Sequence, residues 1–218
     1  MKVQIKSLLE GAKSAKGIAV IIDVINASST IVECLQKGAR EVVPVGSVEE
    51  ALDLKKKGYI FCGEMKSFSQ KADVYNSPHA VSKIRLKGKK IVVKTDAGTK
   101  GILGAKKADE VILGCFLNAS AVVKYLKKKK PKVVTLVPMG DYGKSKNVED
   151  EAFAFYLKNL LEGKKPVSFK SLRKHIKRGS LRNFFRSIFM RKHLHSSLRV
   201  DTSEIVPKLV KGKVVAQR

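Results

Sequence analysis

Residues Ile18 to Thr30 read IAVIIDVINASST: an apolar run, a lone aspartate, then a short polar loop ending in three hydroxyl residues. The run Ile18–Val24, interrupted only by Asp23, lacks polar alternation and predicts a strand buried on both faces. Ser28-Ser29-Thr30 predicts the start of a helix. Asp23 then stands at the carboxyl end of a buried strand, where hydroxyls and backbone N–H groups share its space. Such a place binds anions through the helix N-terminus and a cation through the carboxylate. A metal beside a phosphate pocket is the minimal equipment for phosphoryl transfer or phosphate-ester hydrolysis.

Outward from this stretch, strands and helices alternate. Val42–Val45, Tyr59–Cys62, Ile91–Lys94, Val111–Leu113 and Val133–Val137 read as short buried strands. Helical patterns cover Thr30–Lys37, Val48–Lys57, Lys100–Lys106, Ala119–Lys129 and Val148–Leu161. Ser47 with Glu50 forms a capping-box start, and Asn147 with Glu149 and Asp150 starts the fifth helix. The alternation predicts an α/β fold: a three-layer α/β/α sandwich with a mixed, largely parallel sheet. The 218 residues, 44% of them hydrophobic, fit a single domain over 1–218. Within it, 164–218 reads as a basic extension of helices and edge strands packed on the same domain. Ser168 to Lys192 carries an apolar stripe of Leu172, Ile176, Leu181, Phe184, Phe185, Ile188 and Phe189. A basic amphipathic helix of this kind can touch membranes or nucleic acid, but we prefer to read it as a helix pair covering the sheet edge or forming a homodimer contact. Leu198–Val206 and Lys213–Val215 read as a closing hairpin or paired edge strands. Lys66 to Ala80, with the Asn76-Ser77-Pro78 turn, reads as an active-site loop.

Composition sets the setting. No apolar run approaches the roughly 20 residues that span a bilayer, and MKVQIKSLLEG lacks the pattern of a secretory signal. Cys34, Cys62 and Cys115 are far apart and each in apolar company, which points to a reducing interior, the cytoplasm. The formal net charge of +26 suggests acidic partners. Aromatics at 6% and the lack of a helix-turn-helix, zinc-finger or RNA-recognition signature argue against nucleic acid. A solvating, lysine-rich surface is the preferred reading.

Polar groups recur at the predicted strand ends: Asp23 to Asn26, Gly63-Glu64, Thr95-Asp96-Ala97-Gly98-Thr99, and Gly140-Asp141 with Glu149-Asp150 beyond. Parallel strands share one carboxyl edge, where ligands bind. Carboxylates gathered there repel unless a cation or a proton intervenes, and magnesium suits hard oxygen donors. Two tempting motifs fail. Gly140-x-x-Gly143-Lys144-Ser145 has two residues between its glycines where a phosphate loop needs four. Cys34 with Arg40 has cysteine-phosphatase spacing, but Cys34 falls inside a predicted helix. Of the histidines, His79 can approach the site, while His193 and His195 read as exposed.

In these elements the chain resembles the 2-phosphosulfolactate phosphatase family of coenzyme M biosynthesis. Asp23-Val24-Ile25-Asn26-Ala27-Ser28-Ser29-Thr30 is similar to that family's Asp-Val-Leu-Arg-Ala-Thr-Thr-Thr-like loop. Gly63-Glu64, Asn76-Ser77-Pro78, Thr95 to Thr99, Phe116 to Ala121, Glu149-Asp150 and Asp201 with Val206-Pro207 follow in the family's order. The departures are Asn26 in place of the loop arginine, Asp96 in place of a threonine and Ala97 in place of an asparagine. The resemblance implies a magnesium-dependent phosphatase of a small anionic phosphorylated metabolite. Asp23 and Glu64 are then the catalytic candidates, and Asp23, Glu64, Glu149 and Asp150 the metal ligands. Asn26, Ser28, Ser29, Thr30, Asn76, Ser77, Thr95, Gly98, Thr99 and Asn118 would bind substrate.

Overall fold

The computed structural model describes residues 1–64, 71–179 and 188–217. Among these, ten strands form one sheet: β1 (Lys2–Ile5), β2 (Ile18–Ile22), β3 (Glu41–Pro44), β4 (Ile60–Gly63), β5 (Val74–Tyr75), β6 (Lys90–Lys94), β7 (Glu110–Gly114), β8 (Val133–Pro138), β9 (Val206–Val210) and β10 (Lys213–Gln217). The spatial order is β1-β8-β2-β7-β9-β10-β3-β6-β4-β5. The first four and the last four are parallel half-sheets, and the β9–β10 hairpin joins them in antiparallel fashion. The mixed, largely parallel sheet of the sequence reading is what the chain forms.

The helices are α1 (Leu8–Lys13), α2 (Ala27–Gln36), α3 (Val48–Lys56), α4 (Pro78–Ser82), α5 (Gly98–Gly104), α6 (Ala119–Lys129), α7 (Val148–Leu161), α8 (Phe169–Arg178) and α9 (Ile188–Ser197). Period-two alternation in the strands sorts them into layers. Ala19 and Ile21 of β2 share a core with Ile91 and Val93 of β6, Cys62 of β4 and the inner faces of α1, α2, α4 and α5. Ile18, Val20 and Ile22 point the other way, onto α6, α7, α8 and α9. On that second face of the other half-sheet, Phe61 and Val92 meet Ala51 of α3. One core therefore spans both half-sheets, and their strand ends open onto the same space.

Three differences from the sequence reading have physical causes. Helix α2 begins at Ala27, three residues before the predicted start, because the Asp23 carboxylate accepts the Ala27 N–H and caps the helix from outside the serine run (3.2 Å). The C-terminal hairpin is not at an edge, and its first strand is Val206–Val210, sharing only Val206 with the expected Leu198–Val206. Val206 packs on one face of the sheet, Leu209 and Val214 on the other, so both faces of β9–β10 are covered. Its turn, Lys211-Gly212, has φ of +49° and +78°, the two left-handed positions of a tight hairpin. Finally, the predicted loop holds β5 and α4, whose start is set by Pro78 at its first turn and by the Ser77 hydroxyl accepting the Ala80 N–H (3.1 Å). Its stretch 66–70 lies outside the described residues. So do Leu181, Phe184 and Phe185 of the apolar stripe, with the side chains of Ile188 and Phe189.

Asn118 anchors the hairpin to β7. Its Oδ1 accepts the Cys115 N–H (3.0 Å), and its Nδ2 donates to Leu113 O (3.2 Å) and Ile205 O (3.0 Å). The residue is fully buried. Asn118→Ala strands those backbone groups away from water and is expected to destabilise the protein by about 3 kcal/mol. The measurement is the urea midpoint; an unchanged midpoint would show that the hairpin holds without this tie.

Candidate functional site

The carboxyl ends of β2, β4, β6 and β8 lead to Asp23, Glu64, Asp96 and Asp141, and the first turn of α7 adds Glu149 and Asp150. In the sheet order β2 is third and β4 ninth, yet the charges of Asp23 and Glu64 act on each other. Helix α5 closes that gap. It follows β6 in one half-sheet and sets Gly98 against Asp23 in the other. A Cβ on Gly98 would lie 2.7 Å from Asp23 Oδ2 and 2.4 Å from Ala27 Cβ, so only glycine fits.

Electrostatics follow from burial. Asp23 is 6% exposed, and burial lifts its pKa from 3.8 to about 6. The N–H groups of Ala27 and Gly98 oppose that rise, while the charges of Glu149 and Asp141 add to it. Glu64 is pushed from 4.5 to about 8 by burial, then by Asp23 and Asp96. Asp96 goes the other way. Burial works against its charge, but the Lys94 ammonium at 2.7 Å outweighs it and holds the acid below the ordinary range. The Asp96 N–H also donates to Glu64 Oε2 (3.2 Å). Glu64 is thus the proton holder of a carboxyl pair, and Lys94, a residue the sequence reading passed over, sets which partner holds it.

Asp150 is fully buried and raised well above the usual range by burial, Asp23 and Glu149. Its two oxygens accept the N–H groups of Val24 (2.8 Å) and Gly140 (2.9 Å). It clamps the ends of β2 and β8. Glu149 is 3% exposed beside it.

The predicted substrate residues divide. Ser28 Oγ accepts the Asp23 N–H (3.1 Å) and donates to Ile21 O (3.2 Å). Ser29 Oγ donates to Val24 O (2.8 Å), and Thr30 is buried with no partner for Oγ1 among the described residues. Thr95 and Thr99 cap each other: each hydroxyl accepts the other's N–H, at 3.0 and 3.2 Å. Asn118 is the hairpin tie described above. These hydroxyls and this amide are committed to backbone or buried, and they do not line an open cradle. Asn76, like Thr30, carries a buried orphan: it is 1% exposed and its Oδ1 has no partner among the described residues. A buried acceptor left so calls for a donor.

Helix α9 ties down the loops. Asn26 Oδ1 accepts the Ser197 hydroxyl (2.9 Å), Ser196 Oγ accepts the His79 N–H (3.1 Å), and Ser77 Oγ is hydrogen-bonded to His193 Nδ1. His193, read from sequence as exposed, is 4% exposed and meets Tyr75 and His79 edge-on. Its neutrality is favoured by burial, then by His79 and Lys83. Local sequence held no sign of this, because the contact closes over more than a hundred residues. Cys34 lies buried inside α2 with its thiol pushed up to about 12 by burial and Glu33, an inert group as expected.

Among the described residues no three His, Cys, Asp or Glu side chains are arranged to hold a metal ion by themselves. The donors do fit a hard cation in kind: carboxylate oxygens whose pKa values are raised by burial and by one another's charges, with the orphaned amide oxygen of Asn76, whose backbone N–H donates to Gly63 O beside Glu64 (2.7 Å). No helix among the described residues is long and apolar enough to cross a membrane. A groove of about 500 Å³ does exist, but it is lined by Lys146, Phe155, Val167 and His175 on the outer side of α7 and α8.

Comparison with known proteins agrees on one family. The family model described as 2-phosphosulpholactate phosphatase matches residues 3–212. A probable 2-phosphosulfolactate phosphatase of Thermotoga maritima is 43% identical over 127 residues, covering 58% of this chain and 55% of the relative. One of Caldanaerobacter subterraneus subsp. tengcongensis is 40% identical over 130 residues, 57% and 54%. One of Carboxydothermus hydrogenoformans is 37% identical over 171 residues, 77% and 70%. The chain thus spans about half the length of the first two relatives.

The raised carboxyls make a prediction about stability. A group whose folded pKa is raised stabilises fully below its unfolded value and loses that contribution as pH rises through the folded one. For Asp23 and Glu64 the loss falls between about pH 4 and pH 8. Metal-free Asp23→Asn/Glu64→Gln protein should therefore gain in Tm on the wild type as pH rises across that window. Parallel curves would mean that these carboxyls ionise without cost to the fold.

Proposed function

Because the chain belongs to the 2-phosphosulpholactate phosphatase family, we propose that its acidic rim hydrolyses a small anionic phosphomonoester, with magnesium as cofactor. The observation that carries this reading is the convergence of Asp23, Glu64 and Glu149 from both half-sheets on one rim, where Asp23 and Glu149 are buried and Glu64 half-buried. There the charge of Glu149 opposes ionisation of Asp23, and that of Asp23 opposes ionisation of Glu64.

Asp23 and Glu149 would hold the cation, which suits a magnesium site completed by waters and substrate phosphate and needing no prearranged triad. When bound, the metal supplies positive charge to the phosphoryl group and acidifies water. Asp23, ionised above about pH 6, offers the charge needed either to attack phosphorus or to take a proton from the attacking water. Glu64 holds its proton up to about pH 8 and can give it to the departing ester oxygen. Two carboxyls with separated pKa values divide the acid and base work.

A second reading has its own observation. Asn26 is taken up by Ser197, and Lys94 by Asp96, so the rim offers little fixed positive charge to a multiply charged substrate. A family member that binds a different anionic metabolite without turning it over would look the same.

Phosphate release from a panel of phosphomonoesters, with magnesium and with a chelator, separates the two. The expected result is magnesium-dependent turnover that declines above about pH 8 as Glu64 loses its proton. Glu64→Gln should cost on the order of 10²–10⁴ in kcat/KM and remove that alkaline decline. Ligand binding with no turnover of any ester would instead establish the second reading.

A further inference from the structure

From Gly163 to Val200 the chain has twelve Lys and Arg residues and no Asp or Glu. Helix α8 shows how this run is presented. Its apolar side chains Phe169, Leu172 and Ile176 join the core cluster under α7, with Phe169 against Phe116 at 5.2 Å between ring centres. The exposed side chains Lys170, Lys174 and Arg178, with Lys177, Arg173 and the edge of Phe169, line a groove of about 480 Å³; Arg173 is half-buried there, with its guanidinium hydrogen-bonded to His195 (2.7 Å). Among the described residues, Lys170, Lys174 and Arg178 make no ion pair with a carboxylate.

We infer that the outward face of α8 binds the phosphodiester backbone of duplex nucleic acid. Charge selects the occupant. A second copy of this face would repel it, so the face does not pair with itself. An anionic membrane captures a basic helix by taking in its apolar side, and here that side is packed against the protein core. Single strands bind chiefly where exposed aromatic side chains stack on their bases, and the one Phe of α8 is turned toward Phe116. A duplex backbone asks for neither apolar nor aromatic surface. It asks for cations in a row, and positions 170, 174 and 178 recur at one helical turn. The scarcity of aromatics and of recognition motifs, which argued against nucleic acid in the sequence, bears on base readout and stacking but not on phosphate contacts.

The test uses the full chain and fluorescence anisotropy with a labelled duplex of about 20 base pairs in about 50–200 mM KCl. Up to five phosphate contacts predict a slope of log affinity on log salt of about −4.5. The variant Lys170→Gln/Lys174→Gln/Arg178→Gln should shallow that slope by about 2.7. A control of equal charge, Lys127→Gln/Lys128→Gln/Lys129→Gln on α6, should leave it as it is. The inference is overturned by absence of binding at about 50 mM salt, or by equal losses in both variants. Tighter binding to a single strand of the same length, or to phosphatidylserine vesicles, overturns it too.

Discussion

The rim of this protein depends on one close approach, the backbone of Gly98 against the carboxylate of Asp23. Asp23 ends a strand of one half-sheet, and Gly98 opens the helix that follows a strand of the other. One oxygen of Asp23 caps α2 through Ala27, and a hydrogen bond from Gly98 supports the same carboxylate. Two helices thus start on one side chain. That economy has an electrostatic consequence: the carboxylate is removed from water with other acids around it, and its pKa rises although two N–H groups oppose the rise. A site that resists losing its proton is built into the way the half-sheets meet.

Around that contact the polar groups form two populations. Ser28, Ser29, Thr95 and Thr99 work on the backbone, holding the strand ends and helix starts in place. Asp150 belongs with them, as a clamp between β2 and β8. The second population is ionisable: Asp23, Glu64, Asp96 and Glu149. Lys94 biases the Glu64–Asp96 pair, so that the proton resides on Glu64. Helix α9 then straps both loops from outside through Ser197 and His193. In this chain Asn26 serves that strap.

Much of the fold was legible because strands buried on both faces announce themselves as apolar runs, and capped helices carry their signals within four residues. Ser47 and Asn147 cap their helices, accepting the N–H groups of Glu50 and Asp150, while the Glu50 carboxylate accepts the Gly46 N–H and does not close the expected box on Ser47. A closing hairpin was legible, but neither its first strand, expected at Leu198–Val206 and formed at Val206–Val210, nor its place in the middle of the sheet was, since Val206, Leu209 and Val214 reveal their two faces only against partners. At the site, the strand-end acids Asp23, Glu64 and Asp96 could be named from position alone. Which hydroxyls were available could not. Ser28 and Ser29 look like a cradle in one dimension and are spent on Ile21 and Val24 in three.

The sequence by itself determined the α/β alternation, the inventory of carboxylates at strand ends and the surplus of positive charge. These depend on spacing along the chain, and local hydrogen bonding and hydrophobic period act at that range. Tertiary structure alone decided which carboxyl holds a proton, which asparagine ties the hairpin and which helix straps the loops. Each of those rests on burial and on charges brought within reach from distant positions: Asp23 acting on Glu64, Asn118 on Ile205, His193 on Ser77. Burial and Coulomb interaction are set by distance in space, and a linear pattern does not record that distance.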